Sequence, residues 1–116
     1  MPSGPMARLR RICLALPEAY EEETWGSATF RVNKKIFCMG GHDARRPAIS
    51  LKATREDQQA LLAQGEPYFL PAYVGSKGWI GINLYGPAAP DKEELAELVT
   101  EAYRLIAPKR LSARLP

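Results

Sequence analysis

Apolar and polar positions alternate with a period of two through three runs, Ala28–Val32, Lys35–Met39 and Ala48–Lys52, as strands with one buried face do. Turns at Asn33-Lys34 and Gly40–Pro47 would join them into two successive β-hairpins. A two-residue loop at Asn33-Lys34 sets Val32 opposite Lys35 and Phe30 opposite Phe37. Phe30, Val32, Phe37 and Met39 then share a face, joined by Ile49 and Leu51 of the third run. Such a loop needs φ > 0 at both residues. Asn33 tolerates this, whereas a left-handed Lys34 costs about 1–2 kcal/mol. A longer loop with a bulge would avoid that cost, and a solvated charged tip is the plain reading of Lys34.

Elsewhere the period changes to that of a helix. Met6, Leu9, Ile12, Cys13 and Leu16 recur at helical spacing until Pro17. Thr54 caps a second helix with Glu56 and Asp57 in its first turn, Leu61 and Leu62 on its buried side, and Gly65 and Pro67 at its end. Asp91 and Glu94 have the form of a capping box. They open a third helix, with Leu95, Leu98, Val99, Ala102, Leu105 and Ile106 on one face, which Pro108 ends. Glu21–Trp25 reads as a first strand followed by a Gly26-Ser27 turn. Tyr68–Val74, broken by Pro71, reads as an irregular or edge segment. Ser76–Leu84 reads as a strand with Ile80, Ile82 and Leu84 on one face and Trp79, Gly81 and Asn83 on the other. Residues 1–5 are expected as a flexible arm and 109–116 as a basic tail. The order is α-β-β-β-β-α-β-β-α. It predicts a single α+β domain, a two-layer sandwich with helices packed on one face of an antiparallel sheet.

Composition bounds the function only loosely. The 116 residues are 46% hydrophobic and 25% charged, enough for one unstapled core. No membrane span or leader stands out, so a cytoplasmic location without membrane contact is expected. Cys13 and Cys38 are too few for a disulfide framework. Cys38 alternates to the side opposite Phe37, and buried free thiols are the preferred reading, with a bridge left open. The net charge of +3 is mild, but its distribution is uneven. Residues 1–47 hold eight basic against five acidic side chains, while the remainder balances at eight against eight.

Catalytic and metal chemistry find little support. Glu21–Glu23 lie adjacent on a strand and point to alternate faces, so they do not converge on one ion. Cys38 and His42 fall short of a zinc set. GGHDARRP, Gly40–Pro47, lacks the Walker spacing, and Asp43 beside His42 is adjacency without a nucleophile. An enzyme is not expected, nor a cofactor. Parity places Arg31, Lys52 and Trp79 on the open sheet face, with Lys34 and Lys35 at one end and Arg45 and Arg46 at the other, roughly 17 Å away. Lys77 adds to this set. A basic face with an aromatic platform suits phosphates and an unstacked base, which predicts weak, sequence-tolerant polyanion binding. Arg8, Arg10 and Arg11 could also touch phosphate, though the solvated face of an amphipathic helix is their simpler reading. The alternative use of the open face is contact with another protein or a second copy of the chain.

Four stretches, CLALPEAYEEETWGSATFRVNKKIFCMG, ISLKA, YVGSKGWIGINL and PDKEELAELVTEAYRLIAPK, resemble the MmcQ/YjbR family in that order from about Ala7 to Lys109. The resemblance implies a small α+β domain related to CyaY-like and secretion-chaperone-like folds. It also implies DNA binding, a label that rests on hairpins likened to a double wing. It brings no catalytic residues.

Overall fold

A computed structural model describes residues 4–40 and 45–115. The expectations placed on Gly41, His42 and Asp43 fall outside the described residues. Pro5 opens the first helix, α1 (Pro5–Leu14), with Gly4 as its cap, so the expected arm gives way to helix one residue earlier than foreseen. Four strands follow: β1 (Tyr20–Thr24), β2 (Ser27–Val32), β3 (Lys35–Gly40) and β4 (Ala48–Leu51). Then come α2 (Arg55–Gln64), β5 (Tyr68–Phe69), a single 3₁₀ turn at Val74–Lys77, β6 (Ile80–Asn83) and α3 (Lys92–Ile106). The last helix, α4, spans Lys109–Ser112. Six strands form one antiparallel sheet in the order β1-β2-β3-β4-β6-β5, and the α+β two-layer architecture is as the periodicity predicts.

The caps read from sequence are in place. Thr54 Oγ1 accepts from the Asp57 backbone N–H at 3.0 Å, and Asp91 Oδ1 accepts from that of Glu94 at 2.8 Å. The core lies between the sheet and the helices. Phe30, Val32, Phe37, Ile49, Leu51, Ile80 and Ile82 pack against Leu9 and Cys13 of α1 and Leu95, Val99 and Tyr103 of α3. The predicted basic tail is instead docked. Leu111 of α4 is buried in the same cluster, and Arg110 and Arg114 reach Glu18 at 3.3 and 3.8 Å.

Strand pairing departs from simple alternation at one point. Phe30 faces Cys38 rather than Phe37, while Arg31 faces Ile36, so Phe37 is an extra residue in β3, a β-bulge. Both Phe37 and Cys38 therefore enter the core, and Met39 passes to the opposite face, level with Thr29 and Ser50. The bulge lets Phe37 meet the Tyr103 ring edge to face, centroids 5.6 Å apart and planes at 88°. The Tyr103 hydroxyl donates to the Pro17 carbonyl at 2.8 Å. One side chain thus ties α3 to β3 and to the end of the α1 connection. The Cys38 thiol is pushed well up by its hydrogen bond with Cys13 and by burial, and both cysteines are free.

Two further turns differ from expectation. Asn33 and Lys34 both have φ > 0, 52° and 67°, so the hairpin is the tight two-residue kind despite its cost. Trp25, expected in the first strand, is in the turn with Gly26, at φ 54° and 80°, and Thr24 closes on Ser27. The strand expected from Ser76 begins only at Ile80, because the chain first makes the 3₁₀ turn that Gly78 ends in a left-handed conformation.

Lys34→Gly is expected to stabilise the fold by up to about 1 kcal/mol, the left-handed strain relieved less the entropy glycine loses. Thermal unfolding reads this as a midpoint a few degrees higher; an unchanged or lower midpoint contradicts the strain. For the Cys38 thiol, the native state favours the protonated form, so the stability this contributes is full below the ordinary thiol value and is lost as pH rises past it. An aromatic disulfide reagent at pH 8 is expected to leave the native protein unmodified and to titrate two thiols after denaturation.

Candidate functional site

The eight side chains predicted to bind polyanion do not form one surface. Arg31 is held by its neighbours. Its guanidinium donates to Thr29 Oγ1 at 3.1 Å and Thr24 Oγ1 at 2.9 Å and lies 3.5 Å from Glu22 Oε2, with only 20% of the side chain exposed. Trp79 is 8% exposed and lies outside the cluster beneath the helices. The isoleucines of β6 thus face the helical layer as parity requires, but the indole is covered rather than displayed. Lys52 lies past the end of β4 and lines a cleft between α2 and α3 with Asp57, Glu94, Glu97 and Glu101, where carboxylates outnumber it. These three corrections remove the stripe across the open face.

The remaining cations divide between the two ends of the sheet. Lys34 and Lys35 stand exposed at the β2–β3 turn. Lys77 belongs to the same end, since Ile80 pairs with Leu51 and the Lys52 N–H donates to the Phe37 carbonyl. Arg45 and Arg46 are exposed at the opposite end, just before Ala48, which pairs with Asn83. The end-to-end separation read from the sequence therefore holds.

What the sequence did not disclose is where the exposed aromatics lie. The β1–β2 turn shares an end with the β3–β4 connection, because Thr29 pairs with both Glu22 and Met39. Trp25 at the tip of that turn is 93% exposed. Tyr85 follows β6 at the same end and is 40% exposed. Tyr73 is 95% exposed. It stands on the rim of a shallow depression of about 330 Å³ on the face away from the helices, with Met39, Gly40, Ala48 and Phe69 among its lining. Lateral spacing of about 4.8 Å per strand puts the β1–β2 turn roughly 10–15 Å from β4.

Local chemistry holds these aromatics out. Trp25 and Tyr73 both have φ > 0, a conformation that bulky side chains rarely adopt. Tyr73, at φ 65° and ψ −60°, is the centre of a γ-turn closed by the Val74 N–H on the Ala72 carbonyl at 2.7 Å, the strained form of that turn. Its carbonyl accepts from Ser76 Oγ at 3.0 Å. The chain reaches this turn from β5, where the Phe69 ring lies over Gly81 so closely that any Cβ there would collide with it. Below, Gln58 of α2 fastens the segment, its amide donating to the Gly75 and Trp79 carbonyls at 2.8 and 2.7 Å. Strained residues that surrounding contacts keep in place cluster at binding sites. A Trp-Gly pair between two alternating runs was the one sequence signal for the first of these turns.

Near Trp25, the acidic β1 strand is partly neutralised. Arg10 takes Glu21 in a two-pronged pair, 2.7 and 3.0 Å, and that hydrogen bond raises the guanidinium pKa. Arg31 lies against Glu22 as described. Among the described residues, no group of three or more His, Cys, Asp or Glu side chains is placed to hold a metal ion, and no helix is long and apolar enough to cross a membrane.

Comparison with known proteins agrees with this architecture. A crystal structure of the Deinococcus radiodurans protein DR2400, described as carrying a DUF419 domain, superposes with a TM-score of 0.76 at 21% identity, over 90% of this chain and 80% of that one. No curated protein matches the chain. The family model named YjbR matches residues 14–105, which takes in every element from the end of α1 through α3, and the chain therefore belongs to the YjbR family.

Proposed function

We propose that the protein binds single-stranded nucleic acid, DNA included, weakly and with little sequence preference, across the sheet end that carries Trp25, Arg45, Arg46 and Tyr85 and the outer-face depression that Tyr73 lines. The observation that carries this reading is the pair of aromatic side chains, Trp25 and Tyr73, each more than nine-tenths exposed on strained backbone. Burying either ring in the core would contribute about 1.5–3 kcal/mol of stability, and relaxing either turn would recover strain. The fold forgoes both. An aromatic face offered to a base recovers about 1–3 kcal/mol per base stacked and suits any base. Arg45 and Arg46 supply the charge for the phosphates that such a strand carries. The β1–β2 turn lies at the same end of the sheet as Arg45 and Arg46, whereas the β2–β3 turn lies at the far end.

Two arginines on phosphates give a single-strand salt slope of about −1.4 in log affinity against log salt. Anisotropy of labelled oligo(dT) is expected to show that slope. Trp25→Ala is expected to weaken binding roughly ten-fold without lowering the unfolding midpoint. Tyr73→Gly is expected to separate the two roles of that residue, raising the midpoint while weakening binding. Salt-independent affinity, or full affinity in both variants, contradicts the proposal.

A further inference from the structure

Another concavity lies away from the sheet. A groove of about 930 Å³ runs between α1 and α3 and is closed at one end by the C-terminal segment. Its floor is apolar, supplied by Ile12 of α1, Ala15 and Leu16 just past its end, Ala96 of α3, and Leu115. Its walls carry five cations, Arg8, Arg11, Lys92, Arg104 and Arg114, against the carboxylates of Glu97 and Glu101. Arg104 is 3.7 Å from Glu101, and Arg114 is 3.8 Å from Glu18 outside the groove. Among the described residues, no ion pair or side-chain hydrogen bond engages Arg8, Arg11 or Lys92. The helical spacing of Arg8, Arg11, Ile12 and Ala15 puts cations and floor on one face of α1. Lys92, Ala96, Thr100 and Arg104, four apart throughout, do the same on α3.

We infer that this groove is a docking site for an acidic amphipathic helix of a partner protein. Three features select that occupant. The net positive rim calls for carboxylates, and the apolar floor calls for a hydrophobic stripe beneath them. Neither wall is a strand, so an extended segment laid on the floor would leave its backbone N–H and C=O groups unpaired, whereas a helix satisfies its own. The rise from Lys92 to Arg104 is about 18 Å, three helical turns, long enough for apolar side chains at i, i+4, i+7 and i+11 to meet the floor while acids on either flank meet Arg8, Arg11 and Lys92. A phosphate backbone fits less well. It has no use for Ile12, Leu16 and Leu115, and it would meet the carboxylates of Glu97 and Glu101 on the α3 wall.

The probe is a capped 14-residue peptide with leucines at that spacing and glutamates on its flanks. It is titrated into the ¹⁵N-labelled full chain beside a scramble of identical composition and an oligo(dT) strand. The expected result is micromolar to sub-millimolar binding of the patterned peptide. Its shift changes should be confined to Arg8, Arg11, Ile12, Ala96 and Thr100, with at least ten-fold weaker binding of the scramble. The double charge reversal Arg8→Glu/Arg11→Glu, at exposed positions, should weaken the peptide at least ten-fold, while Trp25→Ala should leave it unchanged. No binding, equal binding of the scramble, shifts that map to the sheet end, or stronger groove shifts with oligo(dT) than with the peptide would each overturn the inference. Because the two sites lie on different layers, failure here leaves the nucleic-acid reading standing, and failure there leaves this one.

Discussion

The extra residue in β3 is the constraint from which the arrangement of the molecule follows. Inserting Phe37 into the β2–β3 ladder brings two consecutive side chains, Phe37 and Cys38, into the helical layer. A regular strand would place one of them in water or under the far face. With the bulge, Phe37 reaches Tyr103 edge to face, and Tyr103 fastens α3 to the chain leaving α1 through the Pro17 carbonyl. Cys38 meets Cys13 of α1. The helices α1 and α3 are therefore fixed to β3 by adjacent residues of one irregularity. The same shift of parity carries Met39 to the outer face, where it becomes part of the lining beneath Tyr73. Core and candidate site are linked at a single step in the sheet.

The outer face is accordingly not the open platform of an ideal two-layer sandwich. The segment after β5 crosses part of it, with Phe69 lying over Gly81 and Gln58 holding the return from below. Polar partners gather around Arg31. What remains displayed is presented by turns rather than strands. Turn positions are free of the alternation that fixes strand faces, and two of them bear aromatics at positive φ. A scaffold with its core secured elsewhere can sustain such strain.

Much of the architecture was legible along the chain because it depends on periodicity. The three main helices, the Thr54 and Asp91 caps and the inward isoleucines of β6 each follow from local pattern, and the resemblance carried by the four quoted stretches led to the family. The candidate site was less legible because it depends on departures from pattern. Alternation cannot register an inserted residue, so it assigned Phe37 a partner it does not have and sent Met39 to the wrong side. Nor can parity see past a strand's last residue, which is why Lys52 was placed with Trp79 on the outer face when it lines the α2–α3 cleft instead. Trp25 passed for a strand residue because tryptophan favours strands, although the glycine after it marks a tight turn. The cationic groove between α1 and α3 was invisible for a different reason: Arg8 and Arg11 read as a solvated helix face until α3 supplied the opposite wall.

The chain has two tryptophans in contrasting surroundings, Trp25 at 93% exposure and Trp79 at 8%, and their emission tests the role of the displayed ring most directly. Acrylamide quenching of the free protein should resolve one accessible and one protected indole. Addition of unlabelled oligo(dT) at low salt should quench the accessible component and shield it from acrylamide, leaving the protected one unaltered. Binding of the oligonucleotide with no change in the accessible component would contradict the account, because it would put the nucleic acid somewhere other than the sheet end.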